Sequence, residues 1–254
     1  MIPLDRSRRA FLKTSAALAG STHIINGLVH AQPIQSSGPL LAYVGTFSSP
    51  LRDVLPTQVD LPPGNGRGIH LFTVNRDTGA MTPAGIHEQG TSPSCLALNA
   101  SGTRLYSANE TDRVGADKEG TVSAFAINRA DGKLELLNTV RSGGAGPTYV
   151  SVHPSGRFLY GSNRKSADHP QADSVVVYAI DPSTGRLALI EHVTGNVVYP
   201  RHFNLDPTGA WLYVNNQKGD NIVQFAVEAR SGRLTETGRI VEVPIPVAMV
   251  FRTM

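Results

Sequence analysis

The sequence predicts an all-β fold assembled from like four-stranded sheets, and three observations carry that expectation. First, the chain repeats itself. Ser92–Asn109, Gly146–Asn163 and Tyr199–Asn216 align residue for residue, and their turn glycines Gly102, Gly156 and Gly209 lie 54 and 53 residues apart. A fixed period near fifty marks an array of like structural units. Second, runs of four to seven residues rich in Val, Ile, Leu, Phe and Tyr alternate with short polar turns, the pattern of strands and hairpins. Third, those turns carry glycine where the backbone must adopt positive φ: Gly79, Gly132, Gly185 and Gly232 close Asp77-Thr-Gly, Ala130-Asp-Gly, Ser183-Thr-Gly and Arg230-Ser-Gly.

In chain order the first element is a leader. Ser7-Arg-Arg-Ala-Phe-Leu-Lys13 is the twin-arginine export pattern, followed by a weakly apolar stretch from Thr14 to Val29. That stretch holds Ser15, Ser21, Thr22, His23 and Asn26 and falls short of the roughly 20 mostly apolar residues of a membrane span. Val29-His30-Ala31 has the small-residue spacing of a cleavage site, so residues 1–31 are expected to be a signal peptide and 32–254 the mature domain. This places the mature protein in the periplasm, with no membrane partner once the leader is removed.

The repeats follow. The first unit opens with Leu40-Leu-Ala-Tyr-Val-Gly45 and continues with Gly68-Ile-His-Leu-Phe-Thr-Val74. The second runs from Ser92 through Gly120–Ile127, the third from Gly146 through Ser174–Ile180, and the fourth from Tyr199 through Asn221–Val227. Four short strands per unit is the composition of a β-propeller blade. The first unit has no counterpart of Ser92–Leu98. Ile245-Pro-Val-Ala-Met-Val-Phe251 resembles that missing innermost strand, with Pro246 in the place of Pro93. Pairing of this strand with the N-terminal blade is expected to close a ring of about four blades and remove its open edges.

Composition narrows the function. The chain has 254 residues, 40% of them hydrophobic and 17% charged, which supports a packed core. The net charge of +3 is that of the leader, where Arg6, Arg8, Arg9 and Lys13 face Asp5; the remainder balances to zero. Bulk electrostatics therefore give no reason to expect a nucleic-acid partner. The single cysteine, Cys95, excludes an intramolecular disulfide and any cysteine-based metal cluster. His70, His87, His153 and His192 are dispersed without metal-ligand spacing, and Gly64-Asn-Gly-Arg-Gly68 opens no helix. Neither a metal nor an organic cofactor is expected.

Gly143-Gly-Ala-Gly-Pro147, His153-Pro-Ser-Gly-Arg-Phe-Leu-Tyr160, Pro200-Arg-His-Phe-Asn-Leu-Asp-Pro207 and Val241-Glu-Val-Pro-Ile-Pro246 together resemble the lactonase family of β-propellers. That family includes the propeller-type 6-phosphogluconolactonases and a fungal carboxymuconate cyclase. The resemblance covers residues 38–254. It implies a seven-bladed ring, whereas this chain repeats four times. The early units are similar to the start of a family member and the last to its end, which implies an internal loss of about three blades near residues 150–165.

In a blade the innermost strand starts on the face to which the second strand returns. Ser92-Pro93, Gly146–Tyr149 and Pro200–His202 are thus expected to share a face with the loops at 46–67, 110–119, 164–173 and 217–220, several of them long. On that face Arg201 and His202 are the leading candidates. Opening a lactone needs a base for water and a cation for the oxyanion. His202, with an ordinary pKa near 6.5, suits the first role and Arg201 the second. The resemblance implies the same Arg-His pair and also implies Glu110, after Asn109, as an orienting or substrate-holding acid. Tyr149 stands where the family commonly has a histidine. Asn109, Tyr149, Asn163 and Arg164 are candidates for substrate contact. Asn109, Asn163 and Asn216 recur at one position of each unit, which also fits a structural cap. Arg164 fits either an anion site or a surface salt bridge. Two functions follow: an exported sugar-lactone hydrolase of carbohydrate metabolism whose partner is a small sugar lactone, or a non-catalytic propeller that binds a ligand or protein.

Overall fold

The computed structural model describes residues 39–47, 66–110, 120–164 and 173–252. The expected leader and most of the long loops lie outside those residues. Fifteen strands and no helix form among the described residues. The first sheet contains β1 (Leu40–Gly45), β2 (Gly68–Val74) and β3 (Met81–Glu88). The second contains β4 (Pro93–Leu98), β5 (Arg104–Asn109), β6 (Thr121–Ile127) and β7 (Leu134–Arg141). The third contains β8 (Pro147–Val152), β9 (Phe158–Asn163), β10 (Ser174–Ile180) and β11 (Leu187–Val193). The fourth contains β12 (Pro200–Leu205), β13 (Trp211–Asn216), β14 (Asn221–Val227) and β15 (Leu234–Glu242). Every sheet is an antiparallel meander in sequence order.

The repeated sequence builds repeated detail. Gly102, Gly156 and Gly209 close the hairpins between the first and second strands, with φ of 64°, 70° and 75°. Their amides donate to Asn99, His153 and Asp206 carbonyls at 3.0, 2.8 and 2.9 Å. Each pairing of the last two strands shifts register at one equivalent place: Leu71/Phe72, Ala124/Phe125, Val177/Tyr178 and Val223/Phe225. Such a bulge bends the outer strand and adds twist.

Neighbouring sheets pack face to face. Leu105 and Phe125 meet Ile69 between the first two. Tyr106, Val122 and Val150 meet Leu159, Val176 and Tyr178 between the next two. Phe158, Tyr160 and Val175 meet Phe203, Leu212 and Phe225 between the last two. Each fully buried side chain of this size contributes about 1.5–3 kcal/mol. Polar contacts lock the same interfaces. Tyr43 donates to the Gly132 carbonyl at 2.6 Å and Tyr160 to that of Gly232 at 2.8 Å. His153 Nε2 donates to the Gly209 carbonyl and His192 Nε2 to that of Ser142, both at 2.9 Å. These two histidines are spent on tethering sheets.

β1 touches β4, β4 touches β8 and β8 touches β12, so the sheets follow one another in chain order. The expected closure does not form. The first sheet has three strands, and residues 245–251 form no strand. They pack instead beside the fourth sheet: Asn204 Nδ2 donates to the Met249 carbonyl at 3.2 Å, and the Tyr213 and Phe251 rings lie 5.3 Å apart. Closing four sheets into a ring requires a right-angle turn at each interface.

Candidate active site

A bulge opens each complete inner strand. Register shifts between Pro93 and Cys95, between Pro147 and Tyr149, and between Pro200 and His202. Ser94, Thr148 and Arg201 are the extra residues, and bulges re-aim side chains in this way at the rims of sheets. The residues that follow, Cys95, Tyr149 and His202, therefore occupy one level of three neighbouring blades. Tyr149 and His202 rings lie 4.4 Å apart at 43°, and Tyr149 also meets Phe203 edge-on at 5.0 Å. Cys95 Sγ is 4.0 Å from the Val150 carbonyl.

The second strands end beside this row. The amides of Glu110, Arg164 and Gln217 donate to Ser92, Ala145 and Tyr199 carbonyls at 2.8, 3.1 and 3.2 Å, one repeated bond per blade. It puts Glu110 and Arg164 at equivalent places on adjacent blades, and Arg164 Nη2 donates to Glu110 Oε1 at 2.7 Å. Their side chains are only 4% and 9% exposed. The surface salt bridge anticipated for Arg164 is thus a buried one, and Glu110 serves Arg164 rather than His202 Nδ1, which has no hydrogen-bond partner. Across the ladder from His202 stands Asn215, whose amide oxygen and nitrogen are also buried without partners. Arg164 Nε is a further such atom. Buried polar atoms are normally satisfied, and four of those left open among the described residues lie here.

The electrostatics tie the set together. Burial, and then the charge of Arg201, hold His202 below the ordinary histidine value. Burial pulls the Arg164 guanidinium down, Glu110 and Tyr199 oppose this, and Arg201 adds to it. Burial pushes the Cys95 thiol up, while Glu110 and Arg201 act on it in opposite directions. Tyr149 is raised by burial and by Cys95. At neutral pH the region therefore combines a neutral imidazole, an exposed guanidinium at Arg201 and a buried ion pair. A neutral imidazole can accept a proton, and a guanidinium can stabilise a developing oxyanion.

Asn109 and Asn163 behave as caps. Asn109 Nδ2 donates to Thr121 and Ser123 hydroxyls, and its Oδ1 accepts from Gln89 and Ser107. Asn163 Nδ2 donates to the Ser142 carbonyl and the Ser174 hydroxyl. Asn216 does the same for Asn196 and Asn221. Both candidate asparagines are fully buried, and they tie neighbouring strand ends together. Of the seven predicted residues the structure brings together Glu110, Tyr149, Arg164, Arg201 and His202.

Sequence reasoning missed Tyr199, Lys218, Cys95 and Asn215. The Tyr199 ring carries Lys218 Nζ at 3.9 Å and the Arg164 guanidinium at 5.2 Å from its centroid. Its φ of 52° is left-handed, as is the 51° of Gly146 at the equivalent position. A tyrosine where the neighbouring repeat has glycine was a readable signal of strain, which concentrates at functional sites. Among the described residues no group of three or more His, Cys, Asp or Glu could hold a metal ion.

Comparison with known proteins bears on this geometry. A family model described as lactonase, 7-bladed beta-propeller, matches residues 41–159 and again 150–251, so residues 150–159 match it twice. A protein of Formosa agariphila named 6-phosphogluconolactonase is 32% identical over 176 residues, 65% of this chain and 46% of its own length. One of the same name from Bacillus subtilis is 28% identical over 189 residues, 71% of this chain and 50% of its own. The chain spans about half the length of these curated relatives. Among solved structures, a periplasmic gluconolactonase of Pseudomonas aeruginosa aligns at 14% identity and a TM-score of 0.36, covering 83% of this chain and 98% of that one.

Proposed function

This chain belongs to the lactonase family of seven-bladed β-propellers, and on that premise we propose that it is an exported hydrolase that opens a sugar lactone. One observation carries the reading: Tyr149, Arg164, Arg201 and His202, with Glu110, gather at one end of the inner strands and combine a neutral base with a free-standing cation. His202 takes a proton from water as its oxygen attacks the lactone carbonyl carbon. Arg201 stabilises the tetrahedral oxyanion. Collapse breaks the bond from the carbonyl carbon to the ring oxygen, and His202 returns the proton to that oxygen. One water is consumed and a sugar acid leaves. The Glu110–Arg164 pair sets a fixed dipole beside the bound sugar, and Tyr149 supports the imidazole.

The twin-arginine pattern of Ser7–Lys13 supports export and a periplasmic role in carbohydrate metabolism. Phosphorylated sugars are largely cytoplasmic, so the substrate proposed is an uncharged lactone such as glucono-1,5-lactone. The curated relatives bear the name 6-phosphogluconolactonase, and a phosphorylated lactone is the comparison substrate. Proton release on lactone opening, followed at constant pH, tests the proposal. The full chain should exceed the spontaneous rate, and an Arg201→Ala, His202→Ala double variant should lose at least a hundredfold of that excess, since acid–base catalysis alone supplies about 10²–10⁴. Equal rates for the two proteins would leave the site as a ligand-binding surface without catalysis.

A further inference from the structure

Two of the sheet-on-sheet interfaces carry a polar strut at one repeated place, and the first interface lacks it. The residue that follows the outer-strand bulge is Gly85 in the first sheet, Asn138 in the second and Glu191 in the third, paired with Leu71, Ala124 and Val177. Asn138 reaches across to the next sheet: its Nδ2 donates to the Leu187 carbonyl at 2.8 Å, and its Oδ1 accepts from the Leu187 amide at 3.0 Å. Glu191 does the same as a carboxylate. Its Oε1 accepts from the Leu234 amide and its Oε2 from Arg233 Nη1, both at 2.7 Å. Leu187 and Leu234 open β11 and β15, as Leu134 opens β7. The Leu134 amide is presented in the same way. Asn128, Asp181 and Glu228 amides donate to Lys133, Arg186 and Arg233 carbonyls at 2.9, 2.9 and 2.8 Å. In an antiparallel ladder the residue beside such a bonded pair turns its own amide away from the partner strand. Gly85 has no side chain to meet the amide of Leu134.

A cavity of about 140 Å³ stands at that place. Ile69, Leu71, Ile86 and Leu134 supply an apolar wall. Gly85 leaves the space open, since a Cβ there would meet nothing within 4 Å. Its φ of 148° favours glycine. The Tyr43 hydroxyl at the edge is spent on the Gly132 carbonyl. His87 also lines the cavity and meets Phe125 edge-on at 5.0 Å. Lys133 precedes Leu134 as Arg233 precedes Leu234, and it lines the cavity too. Its ammonium pairs with Asp131 Oδ2 at 2.9 Å, an exposed contact that holds it only weakly.

We infer that this cavity binds a small monocarboxylate with a short apolar chain, whose carboxylate takes the place of the missing strut. One oxygen accepts from the Leu134 amide and the other from Lys133 Nζ, as the Glu191 oxygens accept from the Leu234 amide and Arg233. The chain of the ligand lies against Ile69, Leu71 and Ile86. Propionate has the shape of a glutamate side chain from Cβ outward, and a dry cavity of roughly 150 Å³ admits benzene, a somewhat larger molecule. The site shares no residue with the one at Arg201 and His202.

Nuclear magnetic resonance of the full chain with labelled histidine, titrated with sodium propionate, tests this. His87→Gln identifies the His87 signal, which should move saturably. Propionamide, of the same shape without the charge, should bind at least roughly tenfold more weakly. Lys133→Gln, at an exposed position, should raise the propionate dissociation constant roughly tenfold and leave the melting temperature of the free protein unchanged. A His87 signal that ignores propionate would overturn the inference. An equal response to propionamide would do so too, because it reports apolar filling without recognition of a carboxylate, as would a Lys133→Gln chain that binds propionate like the wild type. Movement of the His202 signal in place of that of His87 would put the carboxylate at Arg201 and equally overturn it.

Discussion

Removal of the Glu110 carboxylate is the perturbation that probes the site's architecture most severely. Arg164 Nη2 lies 2.7 Å from Glu110 Oε1, with side-chain exposures of 4% and 9%. At that separation an effective dielectric constant near 20 gives an attraction of about 6 kcal/mol before desolvation. Desolvating both ions consumes much of it, so the pair contributes little net. Glu110→Gln leaves a buried guanidinium without its counter-charge, and such losses run about 3–5 kcal/mol. For a domain of this size, each kcal/mol lowers Tm by about 2–4 °C, so the variant should melt roughly 6–20 °C below the wild type. A Glu110→Leu, Arg164→Met double variant removes both charges and should recover most of that loss. Urea titration or calorimetry of the three proteins measures it. A single-variant loss below about 1 kcal/mol would match a solvent-screened surface pair and refute the burial argument. A double variant as unstable as the single one would refute the explanation by an uncompensated charge.

Further expectations follow from the same geometry. Because burial and Arg201 depress His202, lactone hydrolysis should be lost only as pH falls through a value below 6.5 and stay flat above it; Arg201→Gln should move that limb to higher pH, and an unmoved limb would sever the coupling. The same depression makes the unfolded chain bind more protons than the folded one between the two values, so His202 contributes stability that is present above about 6.5 and fades as pH falls toward the folded value. His202→Gln should therefore flatten the pH dependence of urea unfolding in that window. Gly232 has φ of 73°, and a Cβ there would meet the Phe158 ring at 2.6 Å, while one at Gly102 would meet nothing within 4 Å. Gly232→Ala should cost clearly more than the roughly 1–2 kcal/mol of the left-handed backbone alone, and Gly102→Ala about that amount; equal losses would show that the interface yields.

Much of this architecture is written in single residues. The period of Gly102, Gly156 and Gly209 located the hairpins, and the apolar runs located the strands, because turn chemistry and burial are local. The level at which Arg201 and His202 stand was legible for the same reason: Pro93, Pro147 and Pro200 mark the start of each complete inner strand. The partner of Glu110 was not legible, since Arg164 stands on the next blade and only packing decides that the two meet. The role of Asn109 and Asn163 was readable from their recurrence, and their hydrogen bonds agree with caps. Closure failed as an expectation because a strand-like sequence at 245–251 specifies what the segment would pair with, not whether its own β1 comes within reach. That depends on the angle between sheets, a property of whole faces and not of any residue.

If His202 is the neutral imidazole that meets the sugar at this face, nuclear magnetic resonance of the full chain with labelled histidine will show it directly. His202→Gln identifies its signal among the eight histidines. That signal should titrate with a midpoint below 6.5 in the free protein and shift when gluconate, the expected product, is added. A midpoint at or above 6.5, or a signal indifferent to gluconate while others move, would contradict it.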